Sequence, residues 1–305
     1  MKVFVAGATG VLGKRAVAQL VAAGHEVTGV ARSEEKAALV RSLGATPVTV
    51  DLFDGAAVKA AVDGHDVVIN LATHIPPLSK AALPGAWSEN DRIRSEASKN
   101  LVDGALATGA SRYIQESIAF MYPDSGDQWL DEEVEADPPG LGGSVLEAEG
   151  HTRRFAEGGG TGVVLRFGQF YAPEATHTIA MVKAIKRHVA PVLGPKDGYI
   201  SMIDADDAAS AVVAALQAPS GTYNVTDDDP VTRDEFASIA ADAMAVKRAR
   251  SLPVTLAKMS GKNARFMMRS QRVRNHRFKE TTGWAPSHRS LREGWPAVTA
   301  AMKED

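Results

Sequence analysis

Three glycines near the start of the chain carry the clearest chemical meaning. Gly7, Gly10 and Gly13 stand at i, i+3 and i+6, after the apolar run Val3-Phe4-Val5-Ala6 and before Ala16, Val17, Leu20 and Val21 at helical spacing. The pattern reads as buried strand, glycine turn and helix, in that order. Such a turn suits the pyrophosphate of a dinucleotide. Gly7 permits the tight turn, Gly10 lets the backbone approach the phosphates, and Gly13 lets the helix pack closely on the strand. Thr9, Val11 and Leu12 lie in the same turn, where N–H groups at the helix start face an anion.

A second feature bears on which dinucleotide is held. At the end of the next strand (His25 to Ala31), where a carboxylate would accept from a ribose and repel a 2′-phosphate, the chain carries Arg32 and Ser33. A guanidinium beside a hydroxyl fits the phosphate, with Lys14 or Arg15 as a second cation, so NADP (NADPH) is expected and NAD less so. The apolar strand Asp66 to Ala72 ends in Asn70, Leu71, Ala72, Thr73 and His74, at the edge where parallel sheets bind ligands. Other chemistries drop out. There is no cysteine, the eight histidines show no metal spacing with carboxylates, and neither a Gly-x-Ser-x-Gly elbow nor a Gly-Lys-Ser/Thr phosphate loop occurs.

The elements that must position these residues alternate. Helices over 34–42, 56–62, 91–108 and 147–157 separate strands over 48–52, 66–72, 112–117 and 162–167, which predicts an α/β fold with a doubly wound parallel sheet. Residues 123–143, rich in proline, glycine and acids, read as a mobile lid over the mouth of the site. Thr232 with Glu235 forms a capping box opening a helix through Met244. The 305 residues are 45% hydrophobic with a net charge of −3, so no nucleic-acid partner is implied, and no apolar run reaches membrane-spanning length. A first strand beginning at residue 2 or 3 leaves no room for a targeting peptide, and the cytoplasm is the expected location. From Lys247 to Arg277 basic residues recur without an acid. That run reads as a solvated face, or as an attractor of an anionic substrate or of the acidic 124–137 loop.

The spacing Gly-x-x-Gly-x-x-Gly resembles that of extended and atypical short-chain dehydrogenases/reductases, the NAD-dependent epimerase/dehydratase group. The segments Arg166 to Pro173, Tyr199 to Asp207 and Gly283-Trp284-Ala285-Pro286 are similar to that group's crossing and closing segments. The resemblance implies a Rossmann-like domain over 1–172, with 199–226 returning to it, and a smaller C-terminal substrate-binding lobe from 173–198 and 227–305. It implies cofactor contacts from Asp51 and Leu52 at the adenine edge and from Arg166 and Phe167. It also implies dimerisation through helices near 91–108 and 144–157.

The same resemblance exposes a loss. Where the group carries its catalytic tyrosine and lysine, alignment gives Leu141 and Val145; its serine falls on Ile118, with Ser117 one residue early, and its helix asparagine on Ile93. Neither Leu141 nor Val145 moves a proton. Two readings stay open. One is an enzyme acting on a small carbonyl, enone or sugar-like substrate through other groups: Tyr122, Ser117, His74 and Tyr171 first, then Glu116 or Glu147. The other is an NADP(H)-binding sensor without turnover. Tyr122, lacking a lysine, would serve as a proton donor in reduction.

Overall fold

The computed structural model describes residues 1–76, 83, 85–138, 142–190, 192–248 and 268–304. Seven strands form the central sheet: β1 (Lys2–Ala6), β2 (Glu26–Val30), β3 (Thr46–Val48), β4 (Val67–Asn70), β5 (Arg112–Ile118), β6 (Thr161–Phe167) and β7 (Gly221–Val225). They lie in the order β7-β6-β5-β4-β1-β2-β3, every pairing parallel. The chain therefore runs outward from β1 through β2 to β3, then crosses to the other side at β4. A crevice opens between β1 and β4, where the winding reverses.

Alternation along the strands builds two apolar layers. Val3 and Val5 of β1, Val67 and Ile69 of β4, and Val163, Leu165 and Phe167 of β6 enter one core with Leu12, Ala16, Val17 and Leu20 of α1 (Val11–Ala22). Phe4, Ala6, Val68 and Tyr113 enter the opposite core, beneath the helices of the 55–62, 98–108 and 143–157 segments. Helix α2 (Glu34–Ser42) is capped by Ser33, and α3 (Gly55–Val62) by Asp54. The long helix expected near 91–108 begins earlier, as α4 (Ser88–Arg92), passes through a π segment at Ile93–Ala97, and continues as α5 (Ser98–Thr108). The sixth is α6 (Gly143–Glu157). The third strand falls at Thr46–Val48 rather than 48–52, because the chain is turning by Asp51, whose carboxylate accepts the Phe53 N–H at 3.0 Å.

After β6 the chain builds a second core. Helices α7 (Thr176–Lys186), α8 (Ala205–Ala214), α9 (Arg233–Met244), α10 (His276–Thr282) and α11 (Leu291–Glu304) complete the fold. Met181, Ile185, Met202, Phe236, Ile239, Leu291 and Trp295 pack together, with Phe236 edge-on to Trp295 at 5.0 Å. Helix α8 instead packs its alanines against α1 on the sheet. The capping box is present: the Glu235 N–H donates to the Thr232 hydroxyl at 3.2 Å and the Thr232 N–H donates back to the Glu235 carboxylate at 2.8 Å.

The described part of the 123–143 segment departs from a free lid. Trp129–Leu130 forms a parallel ladder with Arg272–Val273, and Leu130 packs on Ala119, Tyr122 and Val273. The Ser270 N–H donates to Asp124 at 3.1 Å, and Arg269 pairs with Asp137 at 2.7 Å. The basic run thus docks the acidic loop through these residues; its 249–267 portion and Leu141 lie outside the described residues.

Candidate functional site

The glycine turn is built as close packing demands. Gly7 has φ +80°, and a Cβ there would lie 2.5 Å from the Leu71 carbonyl carbon. A Cβ on Gly13 would lie 1.9 Å from the Gly7 carbonyl oxygen. Gly10 differs: a Cβ there meets only the Gly7 oxygen, at 3.5 Å, and the residue is exposed. No side chain caps α1 at Gly10, so the first-turn N–H groups stay open to an anion. Leu71, Ala72 and Thr73 leave β4 directly opposite this turn, and the Ala72 N–H donates to Asn70 Oδ1 at 3.1 Å. Thr9, Val11 and Leu12 fall in the turn itself. This cradle fits a pyrophosphate.

Arg32 and Ser33 follow β2 at the same edge. The Arg32 side chain is 77% exposed and, among the described residues, reaches no carboxylate nearer than Glu89, at 3.9 Å. Ser33 Oγ accepts the Lys36 N–H at 3.3 Å, which leaves its own proton to donate. The proposed second cation is otherwise engaged. Lys14 pairs with Glu174 at 2.8 Å, and Arg15 binds Glu174 and, at 3.1 Å, Asp206. Partial burial pushes the Glu174 carboxyl up, but the bonds from Arg15 and Lys14 outweigh it and hold the pKa at about 2. Asp51 is exposed beside Leu52, and Arg92 covers the Phe53 ring at 3.6 Å next to them.

Several other expected site residues lie elsewhere. Arg166 and Phe167 face the two cores rather than the crevice: Phe167 packs on Phe170, and Arg166 forms a fork to Glu149 with bonds of 2.8 and 2.7 Å. The alternation of β6 puts Arg166 under α6, where Glu149 is 1% exposed. The Ser117 hydroxyl donates to the same carboxylate at 2.7 Å. Tyr122 joins this network, accepting from Arg166 at 3.0 Å and donating to Asn224 at 2.8 Å, and it is fully buried. Burial raises its pKa further from neutrality. Tyr171 is also fully buried; its hydroxyl donates to Asp227 at 3.1 Å, and desolvation with nearby carboxylates pushes its pKa strongly up. His74 is exposed beside Glu89, at 3.7 Å, and so sits at the Arg32 end of the crevice, away from the reacting end. Glu116 is buried against Arg94 of the π segment at 2.9 Å, and Glu147 is exposed. The proton-handling roles assigned to Tyr122, Ser117, Tyr171 and His74 are therefore revised on geometry.

A different set lines the cavity at the carboxyl ends of β5 and β6. Ala119 and Phe120 follow β5, Gln169 follows β6, and Tyr199, Ser201, Arg233, Gln271 and Val273 close the other side, around a space of about 30 Å³. Arg233 donates to the Arg269 carbonyl at 2.7 Å, and desolvation pushes its pKa down to about 10. The Gln271 amide donates to the Phe120 carbonyl at 3.0 Å and orients that wall. Tyr199 is the phenol of this cavity. None of the chain's five tyrosines is followed four residues later by lysine. The missing pair is thus absent from the whole sequence, however the loop is aligned. Among the described residues Asp204, Asp207 and His288 lie close enough to hold an ion, but the Asp207 carboxylate already accepts the Ser287 and His288 N–H groups at 2.8 and 3.0 Å. No described helix is long and apolar enough to cross a membrane.

Fold and cradle together define a nicotinamide-dinucleotide oxidoreductase of the epimerase type. Residues 3–226 match the model of the NAD dependent epimerase/dehydratase family, and the chain belongs to that family. It is 32% identical over 305 residues to a 3-diazoavenalumate denitrifying reductase of a Streptomyces species, covering 96% of this chain and 99% of the relative. A 2-alkyl-3-oxoalkanoate reductase of Shewanella oneidensis is 29% identical over 253 residues, 75% of this chain and 62% of that one. Among solved structures, human epimerase family protein SDR39U1 with NADPH matches at TM-score 0.82 and 20% identity, covering 100% of both chains. UDP-glucose 4-epimerase from Thermotoga maritima with UDP-glucose matches at 0.81 and 18%, covering 100% of this chain and 99% of that one. At those identities the two structures share the fold.

Proposed function

We propose that this protein is an NADPH-dependent reductase that reduces an electron-poor, conjugated carboxylate without a general acid from the protein. One observation carries the reading: the tyrosine–lysine pair is missing from the sequence, and Tyr113, Tyr122, Tyr171 and Tyr223 all spend their hydroxyls on internal bonds. A positioned acid contributes roughly 10²–10⁴ in rate, so its loss is tolerable where the acceptor needs no proton. When bound, the reduced nicotinamide supplies a hydride. An aryl diazonium that takes up a hydride releases dinitrogen and consumes no proton; an iminium likewise takes the hydride to a neutral amine, whereas an enone becomes an enolate that takes its proton from water.

The chain's own residues hold and enclose. Gly7, Gly10, Gly13 and the first turn of α1 would hold the pyrophosphate, and Arg32 with Ser33 the 2′-phosphate. Phe120, Gln169, Tyr199 and Gln271 line a narrow space of mixed polarity that leaves no room for bulk water. The relatives support the substrate class. The Streptomyces protein is named for a denitrifying reduction of a diazo acid, the Shewanella protein for reduction of an oxo acid, and both named substrates are carboxylates.

NADPH consumption against aryl diazonium, enone, imine and simple ketone acceptors tests the reading. Turnover is expected with the electron-poor acceptors, with Tyr199→Phe retaining the rate within about threefold. A loss of roughly 10²-fold or more in Tyr199→Phe would restore a protein acid and refute the proposal. Tight NADPH binding with no turnover of any acceptor would favour the non-catalytic binding protein.

A further inference from the structure

We infer that Arg272, held between Trp129 and Tyr199, forms an anion site that receives the carboxylate of an elongated aromatic or polyene acid. Its guanidinium carbon lies 4.1 Å from the centre of the Trp129 ring and 4.6 Å from that of Tyr199. Arg274 approaches the same Trp129 ring at 5.2 Å. Two basic neighbours in the groove outside, Lys279 and Arg289, pair with Asp228, at 2.7 and 3.3 Å. Arg272 pairs with no carboxylate among the described residues, and its Nε is buried without a hydrogen-bond partner. Among the described residues it is held by rings and not by a carboxylate.

The physical consequence is directional. Aromatic rings attract the cation but accept none of its five N–H bonds. The donors are left to an acceptor lying in the guanidinium plane, and a carboxylate matches that fork with two parallel bonds. The ladder with Trp129–Leu130 fixes the backbone of Arg272, so little freedom remains to be lost on binding.

The location connects this anion site to the cavity. Gln271 and Val273, on either side of Arg272, line the cavity, and strand alternation sends Arg272 to the opposite face. Tyr199 belongs to both, one wall of the cavity and one jaw of the clamp. The outer groove, lined by Trp129, Arg274, Asn275 and His276, opens on the far side. A carboxylate bound at Arg272 therefore lies one aromatic ring away from the cavity. That spacing calls for an extended conjugated acid rather than a compact one, and Trp129 offers its chain a stacking surface.

The identification of this ligand as the substrate rests on the reductase reading; the anion site itself does not. Quenching of tryptophan fluorescence by trans-cinnamate, with methyl cinnamate as the uncharged control, tests it on the full-length protein. Saturable quenching by the acid is expected, with the ester at least roughly tenfold weaker, and Arg272→Met weakening the acid by roughly 10–100-fold, the range of a charged hydrogen bond. Arg272→Lys, which keeps the charge but not the fork, should recover only part. Equal binding of acid and ester by the wild type, or cinnamate binding unchanged in Arg272→Met, would overturn the inference. The acid–ester comparison needs no variant, so it decides even if Arg272→Met fails to fold. Arg272-dependent binding with no turnover of any acceptor would sink the reductase reading and leave the site standing. Turnover indifferent to Arg272 would overturn the identification of the bound acid as the substrate and leave the reductase reading standing.

Discussion

Alanine at Gly10 and alanine at Gly13 should fail in different ways, and the difference separates the cradle's fold from its binding. At Gly10 the backbone (φ −74°, ψ 177°) suits any residue, and the new methyl meets only one atom, at 3.5 Å. Alanine restricts the unfolded chain, worth about 0.4–1 kcal/mol in stability. Against this, alanine is the poorer residue at a helix N-cap, by roughly 0.5–1 kcal/mol. The two nearly cancel, so Gly10→Ala should melt within a degree or two of wild type. Its methyl nevertheless occupies the space the phosphates need, and NADPH affinity by calorimetry should fall by roughly tenfold or more. Gly13→Ala is a folding lesion. Its methyl would sit 1.9 Å from the Gly7 oxygen and within 3 Å of two further backbone carbons, none of which is a flexible side-chain end. Overpacking of this kind costs about 1–3 kcal/mol, against about 1 kcal/mol gained from helix propensity, so a lowered melting temperature is expected even without cofactor. Wild-type NADPH affinity in Gly10→Ala would refute the placement of the pyrophosphate on this turn.

Three further outcomes follow from the side chains. Arg32→Asp should weaken NADPH by roughly 10–100-fold while leaving NADH nearly unchanged, since Lys14 and Arg15 are held by Glu174; equal wild-type affinities for the two cofactors would count against the selector. Tyr122→Phe should leave turnover within about threefold while destabilising the fold by about 1–3 kcal/mol, because Arg166 and Asn224 lose a buried partner; a large fall in rate at unchanged stability would return Tyr122 to the mechanism. Burial, together with the charges of Asp207 and Asp204, lifts the Asp227 carboxyl well above its ordinary range. A carboxyl raised on folding contributes stability at low pH that is lost as pH climbs above the unfolded value of about 3.9. Asp227→Asn cannot titrate, so its melting temperature should gain on wild type as pH rises from 4 to 8; a difference independent of pH would exclude the effect.

What the sequence determined by itself is the cofactor half of the molecule. The strand, glycine turn and helix are local, and three glycines at fixed spacing state which backbone approaches must be close. Arg32 could be located because it ends a strand whose length was legible. The absence of Tyr-x-x-x-Lys is likewise a property of the chain alone. Tertiary structure decided the rest. Ser117 and Tyr122 lie far in sequence from Glu149 and Arg166, and only the packing of α6 on β5 and β6 drew two candidate catalytic groups, Ser117 and Tyr122, and an expected cofactor contact, Arg166, into one buried network around Glu149. The 123–143 segment read as a mobile lid because its partner strand, Arg272–Val273, lies more than 120 residues downstream, where no local pattern signals the pairing. The aromatic clamp on Arg272 arises from that same pairing: Trp129, Tyr199 and Arg272 mean little singly, and the long-range ladder is the physical reason they meet.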